Sequence, residues 1–169
     1  TVIIMAKKKI KKTLPEQIMD KHDVAYEGFE FNILDKTEAQ RDALLEKFNV
    51  KHADIYKTLA ATGDKTGPVV AIIPITQHLA MKKLAHVSGN KKVTMLSLKE
   101  LQKTTGYVHG ANNPVGIWQN KHFPIFIDST AETAPYFLVS AGELGRSDKV
   151  KPKDIATLVG ATFADLLDK

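Results

Sequence analysis

The stretch Asp54-Ile55-Tyr56-Lys57-Thr58-Leu59-Ala60-Ala61-Thr62-Gly63-Asp64-Lys65-Thr66-Gly67-Pro68-Val69-Val70-Ala71-Ile72-Ile73 decides how this chain is read. Ile55 to Ala61 is rich in β-branched and apolar residues and predicts a strand. Gly63 to Gly67 carries turn chemistry. Pro68 to Ile73 predicts a second, buried strand, so the pair predicts a hairpin. Alternation places Ile55, Lys57 and Leu59 on one face and Tyr56 and Thr58 on the other. A lysine sharing a face with Ile and Leu either snorkels to an edge or serves a site as a cation for phosphate or a carbonyl oxygen.

Helix signals flank this hairpin. Thr13-Leu14-Pro15-Glu16 and Thr37-x-x-Gln40 have the capping-box pattern and predict helices, the first ending near His22. Val24, Tyr26 and Phe29 to Ile33 read as extended chain. A helix carrying Leu79, Lys83, Leu84 and Val87 stops at Gly89, and Val93 to Leu96 is a short strand. Ser97-x-x-Glu100 opens a helix ending before Gly106. Ile125-Phe126-Ile127 and Tyr136-Phe137-Leu138-Val139 are strands. Pro152 to Val159 is a final helix, with Gly160 past its end. Interspersed strands and short helices predict an α/β (α+β-like) fold around a mixed, mostly antiparallel sheet. No βαβ unit with a glycine-rich phosphate turn is visible, which argues against a Rossmann fold.

The 169 residues suit one domain, read here as Thr13 to Lys169, after a basic, flexible Thr1–Lys12 in which Thr1–Ile4 precede a natural start at Met5. The apolar fraction of 43% is ordinary for a globular protein, and no apolar run approaches a bilayer span. With no signal h-region, a cytoplasmic location is expected. The lack of Cys excludes disulfides, a Cys nucleophile and a Cys-based zinc site. The net charge of +5, part of it from Lys7, Lys8, Lys9, Lys11 and Lys12, allows a nucleic-acid partner without demanding one.

Familiar catalytic signatures are absent: no G-x-S-x-G, no H-E-x-x-H, no Walker A motif and no paired His at i,i+4. A hydrolytic site here would have to use backbone groups, hydroxyls or a lysine. The segment Gly106-Tyr107-Val108-His109-Gly110-Ala111-Asn112-Asn113-Pro114-Val115-Gly116 reads as a tight loop. It is either an ordinary connection or a cradle of N–H groups for a phosphate or carbonyl oxygen.

Tyr56-Lys57-Thr58-Leu59, Thr105-Gly106-Tyr107, Gly110-Ala111-Asn112-Asn113-Pro114, Ile125-Phe126-Ile127-Asp128 and Tyr136-Phe137-Leu138-Val139-Ser140 follow in a fixed order, closed by Phe163-Ala164-Asp165-Leu166. This order resembles the YbaK/EbsC family, free-standing relatives of the editing domain of bacterial prolyl-tRNA synthetase. The resemblance implies a single domain with a barrel-like sheet that deacylates mischarged tRNA, foremost Cys-tRNA(Pro). It maps catalytic roles to Lys57 and the Gly110 backbone. Substrate-binding roles fall to Phe31, Thr58, Ala111, Asn112, Asn113, Pro114 and Ser140. A tyrosine of the family falls at Phe31, and an acidic position falls near Ser147, with Asp148 adjacent. The implied partners are aminoacyl-tRNA and, as a candidate, prolyl-tRNA synthetase, with a monomer or weak dimer and neither cofactor, metal nor membrane. The implied chemistry is attack by the substrate's own thiol on its ester, forming a thiolactone. Water-driven deacylation of Ala-tRNA(Pro) and a non-catalytic RNA-binding module on the same fold are the alternatives.

Overall fold

The computed structural model describes residues 11–30 and 36–169. The expected helices form where their caps place them. Thr13 Oγ1 accepts from Glu16 N at 3.3 Å and Thr13 N donates to Glu16 Oε1 at 3.0 Å, opening α1 (Leu14–Lys21). The reciprocal pair satisfies two N–H groups that a helix start leaves orphaned. Thr37 and Gln40 do the same for α2 (Glu38–Lys47). α3 (Met81–Ser88) begins after Leu79, which pairs with Leu167 instead. α4 (Leu98–Thr105) is capped by Ser97 and ends on Gly106 at φ 86°, a left-handed conformation that suits glycine.

The hairpin is β2 (Tyr56–Gly63) and β3 (Gly67–Pro74), antiparallel with Gly63 opposite Gly67. It forms the centre of a five-stranded sheet ordered β4-β2-β3-β5-β8, with β4 at Val93–Met95, β5 at Ile125–Asp128 and β8 at Thr162–Ala164. β3–β5 and β5–β8 run parallel, and the other pairs antiparallel. A three-stranded antiparallel sheet, β1-β7-β6, combines Tyr26–Glu30, Arg146–Val150 and Phe137–Ser140. The architecture is the expected mixed, mostly antiparallel one, but the sheet is not a closed barrel. Among the described residues the two sheets are joined by an isolated bridge, Ile55 to Leu138. On its other edge β2 is covered by β4 only from Ala61 to Gly63, so its start has β3 as neighbour but no strand on the β4 side among the described residues.

The main core lies between the sheets. Tyr56, Ile72 and Ile127 meet Phe137 and Val150, with α1, α5 (Pro114–Lys121) and α6 (Pro152–Val159) closing its ends. Each such side chain contributes about 1.5–3 kcal/mol on burial. Val69, Ala71 and Ile73, on the opposite face of β3, pack against Leu84 of α3.

Three elements differ from the sequence expectation. α5 starts inside the stretch read as loop, because Asn113 caps it through Gly116 N (2.6 Å) and Pro114 occupies its first turn. β7 and β8 are strands without a hydrophobic run of their own, held by pairing to β1, β6 and β5.

Candidate active site

The β4-side edge at the start of β2 opens onto a cavity of about 590 Å³. Ala60 O accepts from Leu96 N at 3.3 Å, whereas Val70, opposite Ala60, donates away from β2 to Pro124 O at 2.9 Å. Ala60 and Val70 are therefore a non-hydrogen-bonded pair. By the two-residue period of a strand, the backbone N–H and C=O of Thr58 turn the same way, toward the cavity edge. No strand among the described residues pairs with Thr58 on that edge.

The cavity gathers residues far apart in sequence. β2 brings Lys57 and Thr58, the glycine loop brings Gly110 and Asn112, and β6 brings Ser140. Lys57 is half-buried on the face of β2 shared with Leu59, as alternation predicts, and has no hydrogen bond or ion pair among the described residues. Thr58 is buried, and its Oγ1 has no hydrogen-bond partner among the described residues. A hydroxyl without a partner in a buried place is costly unless something else meets it. Ser140 Oγ accepts from Gly142 N at 3.2 Å, which shapes the turn leading to β7.

Gly110 sits at φ 91°, and a Cβ built on it would come 2.9 Å from Leu144 Cδ2. Both the backbone angle and the space call for glycine. Its N–H has no partner among the described residues, whereas that of Ala111 is taken by Val108 O at 3.0 Å. The loop is held from behind by Thr105 Oγ1, which donates to Asn112 Oδ1 at 2.8 Å, and by Asn113 Nδ2, which donates to Ala111 O at 3.1 Å. Thus Asn112 reaches the cavity, while Ala111, Asn113 and Pro114 are buried behind it and support the loop. Phe31 lies outside the described residues, as does the basic run Lys7 to Lys9.

The site contains residues that sequence reading did not single out as lining. His109, Glu143, Leu144, Met95 and Leu98 all border the cavity. Neighbourhood to Gly110 was the available signal for His109; nothing local marks the others. Ser147 lies on the cavity side, opposite Ser140 across β6–β7. Asp148, one residue on, faces the other way into the core beneath the sheet, so Glu143 is the acidic side chain on the lining. Among the described residues no three His, Asp or Glu come together as a metal site. No helix among them is long and apolar enough to cross a membrane.

One cavity thus gathers a backbone N–H at Gly110, the Lys57 cation and the Thr58 hydroxyl, groups of the kind that stabilise and orient a charged or polar ligand. A family model described as aminoacyl-tRNA editing domain matches residues 37–158. The chain belongs to the aminoacyl-tRNA editing family. Within that family, the editing domain described here is 40% identical over 166 residues to an Enterococcus faecalis (strain ATCC 700802 / V583) protein named "Putative Cys-tRNA(Pro)/Cys-tRNA(Cys) deacylase EbsC". The match covers 98% of this chain and 99% of that one. Its fold is shared with the crystal structure of "a putative trans-editing enzyme for prolyl tRNA synthetase", at 22% identity and a TM-score of 0.72 over 85% of this chain and 87% of the other. It is likewise shared with hypothetical protein APE2540, at 20% identity and a TM-score of 0.76 over 90% and 98% of the two chains.

Proposed function

We propose that this editing domain acts in trans as a deacylase of mischarged tRNA, with Cys-tRNA(Pro) its foremost substrate. The observation that carries the reading is the convergence of Lys57, Thr58, Gly110, Asn112 and Ser140 on one cavity. It comes together with the full-length likeness to EbsC. The lining hydroxyls have no His partner among the described residues, so a Ser–His nucleophile is not assembled there.

The substrate supplies the nucleophile instead. Its cysteine sulfur attacks the ester carbonyl carbon, forming the C–S bond of a four-membered thiolactone. The bond from that carbon to the ribose oxygen breaks, and the thiol proton ends on the released 3′-terminal hydroxyl. The protein's work is to hold the near-attack pose and stabilise the oxyanion formed on the way. The Gly110 N–H faces that oxygen. Lys57 balances charge at the ester or the terminal nucleotide, and Thr58 and Ser140 orient the aminoacyl group. The reaction takes place in the cytoplasm on aminoacyl-tRNA, with prolyl-tRNA synthetase a candidate partner.

The test is a deacylation panel of Cys-, Ser-, Ala- and Pro-charged tRNA, with trapping of the thiolactone. Pocket fit alone separates thiol from hydroxyl by only roughly 10–200-fold. A thiol, with a pKa of about 8.5, is also far more acidic than an alcohol. Cys-tRNA is expected to be cleaved much faster than Ser-tRNA, and S-methylcysteinyl-tRNA to resist. Normal turnover of the S-methyl substrate without a trappable intermediate would transfer the nucleophile's role to water.

A further inference from the structure

Three exposed apolar side chains stand beside the exposed His109 and Glu143 on the lining of the cavity. Of the six exposed large hydrophobic side chains among the described residues, Leu98 (74%), Leu144 (59%) and Met95 (45%) border this cavity, and Leu14, Val108 and Tyr136 do not. They come from two separate segments: Met95 and Leu98 flank the β4–α4 junction, and Leu144 tips the β6–β7 turn. Leu144 lies in a turn outside any helix or strand, and Met95 and Leu98 occupy the last position of β4 and the first of α4. Leu98 is the first residue of α4, where Ser97 already caps the helix and a polar side chain would serve equally. Exposed apolar side chains grouped around one opening mark a binding surface.

We infer that these three side chains form a clamp for the terminal adenine base of the tRNA acceptor end. The inference rests on the deacylase reading, because it follows the substrate outward from the ester. The polar groups Thr58, Gly110 and Ser140 line the same cavity and suit the aminoacyl ester. The next group out is the ribose, and the next is its base: a flat, largely apolar ring system that must leave through the mouth. Leu144 stands against the Gly110 backbone, so that lip begins where the ester carbonyl is held. Met95 adds a flexible, polarizable thioether suited to an aromatic face. α4 continues from Leu98 with exposed Lys99, Glu100 and Lys103, a net positive stretch of the kind that favours a phosphodiester. Contact with the base face is tolerant of sequence, which fits an end that every tRNA shares.

The test uses the full chain and a nonhydrolysable probe, adenosine carrying cysteine through a 3′-amide, compared with the same cysteine amide lacking the base. Binding is measured by calorimetry for the wild type, Leu98→Ser and Leu144→Ser. The wild type should prefer the base-bearing probe, and each variant should lose roughly tenfold of that preference. Melting temperatures should be unchanged, since both side chains lie on the surface. Equal binding of the two probes by the wild type, or an undiminished preference in both variants, would overturn the clamp. Failure of deacylation with loss of preference in the variants would instead sink the reaction and leave the base site standing.

Discussion

Arg146 and Glu16 meet in a fully buried fork across 130 residues of chain. Arg146 Nε lies 3.1 and 3.0 Å from the two Glu16 oxygens, and Nη2 lies 3.0 Å from Oε1. Arg146 Nη1 lies 3.7 Å from Glu30 Oε1. The pair ties α1 to β7 beneath the face of the sheet that carries Ser140 and Ser147. Gly28 of β1 leaves it room, since a Cβ there would fall 2.8 Å from Arg146 Nη2.

Removing one partner strands the other charge. Glu16→Ala is expected to cost about 3–5 kcal/mol, because Arg146 keeps its charge in a dry place. Replacing both, Glu16→Leu with Arg146→Met, should cost less than Glu16→Ala alone. Urea denaturation of the two variants measures this, and a double variant less stable than Glu16→Ala would refute it.

Asp148 shares this compartment, and among the described residues neither of its carboxyl oxygens has a hydrogen-bond partner. Burial, and then the neighbouring Glu16 carboxylate, push its carboxyl up to about 9. Glu16 moves the other way: burial opposes the shift, but the neighbouring Asp148, the Thr13 backbone N–H and Arg146 outweigh it. In the unfolded chain Asp148 ionises at an ordinary carboxylate pKa. Between that value and about 9 the folded form holds a proton that the unfolded form has lost, so stability falls as pH rises through this window. Asp148→Asn, neutral in both states, should flatten the decline. Melting temperatures of both proteins at several pH values decide it; parallel slopes would show that Asp148 is not the group responsible.

Lys57 has no partner among the described residues, so its removal should spare the fold. Lys57→Ala is expected to lower kcat/KM for Cys-tRNA by roughly 10²–10³, the scale of losing one electrostatic stabiliser of the oxyanion. Its melting curve should match the wild type. A folded variant with full activity would remove Lys57 from the chemistry, and a collapsed one would assign it a structural role.

Gly110→Ala meets two obstacles, a left-handed backbone angle and the Leu144 side chain. The loop should shift, and the Gly110 N–H with it. Deacylation is expected to fall by at least tenfold while stability changes by about 1 kcal/mol, because the loop is exposed. Single-turnover rates separate this from weakened binding: the loss should appear in the cleavage step.

Local chemistry alone determined much of this molecule. The two capping boxes, the Ser97 cap and the terminating Gly106 and Gly160 placed helices to within a residue or two, because a cap is satisfied by atoms three or four positions away. The hairpin and the face occupied by Lys57 followed from a two-residue period. The motifs around Lys57 and Gly110 were legible too, and the structure brings both to one cavity. Tertiary structure decided the rest. Arg146–Val150 is a strand although it reads Arg-Ser-Asp-Lys-Val, because β1 and β6 supply its hydrogen bonds from both sides and Glu16 takes its charge. The same pairing turns Ser147 to the cavity and Asp148 to the core. Met95, Leu98 and Leu144 became one rim only when β4 and the β6–β7 turn closed on the open edge of β2. Each of these depends on partners tens of residues away, and periodicity carries no information about a neighbour the chain has not yet met.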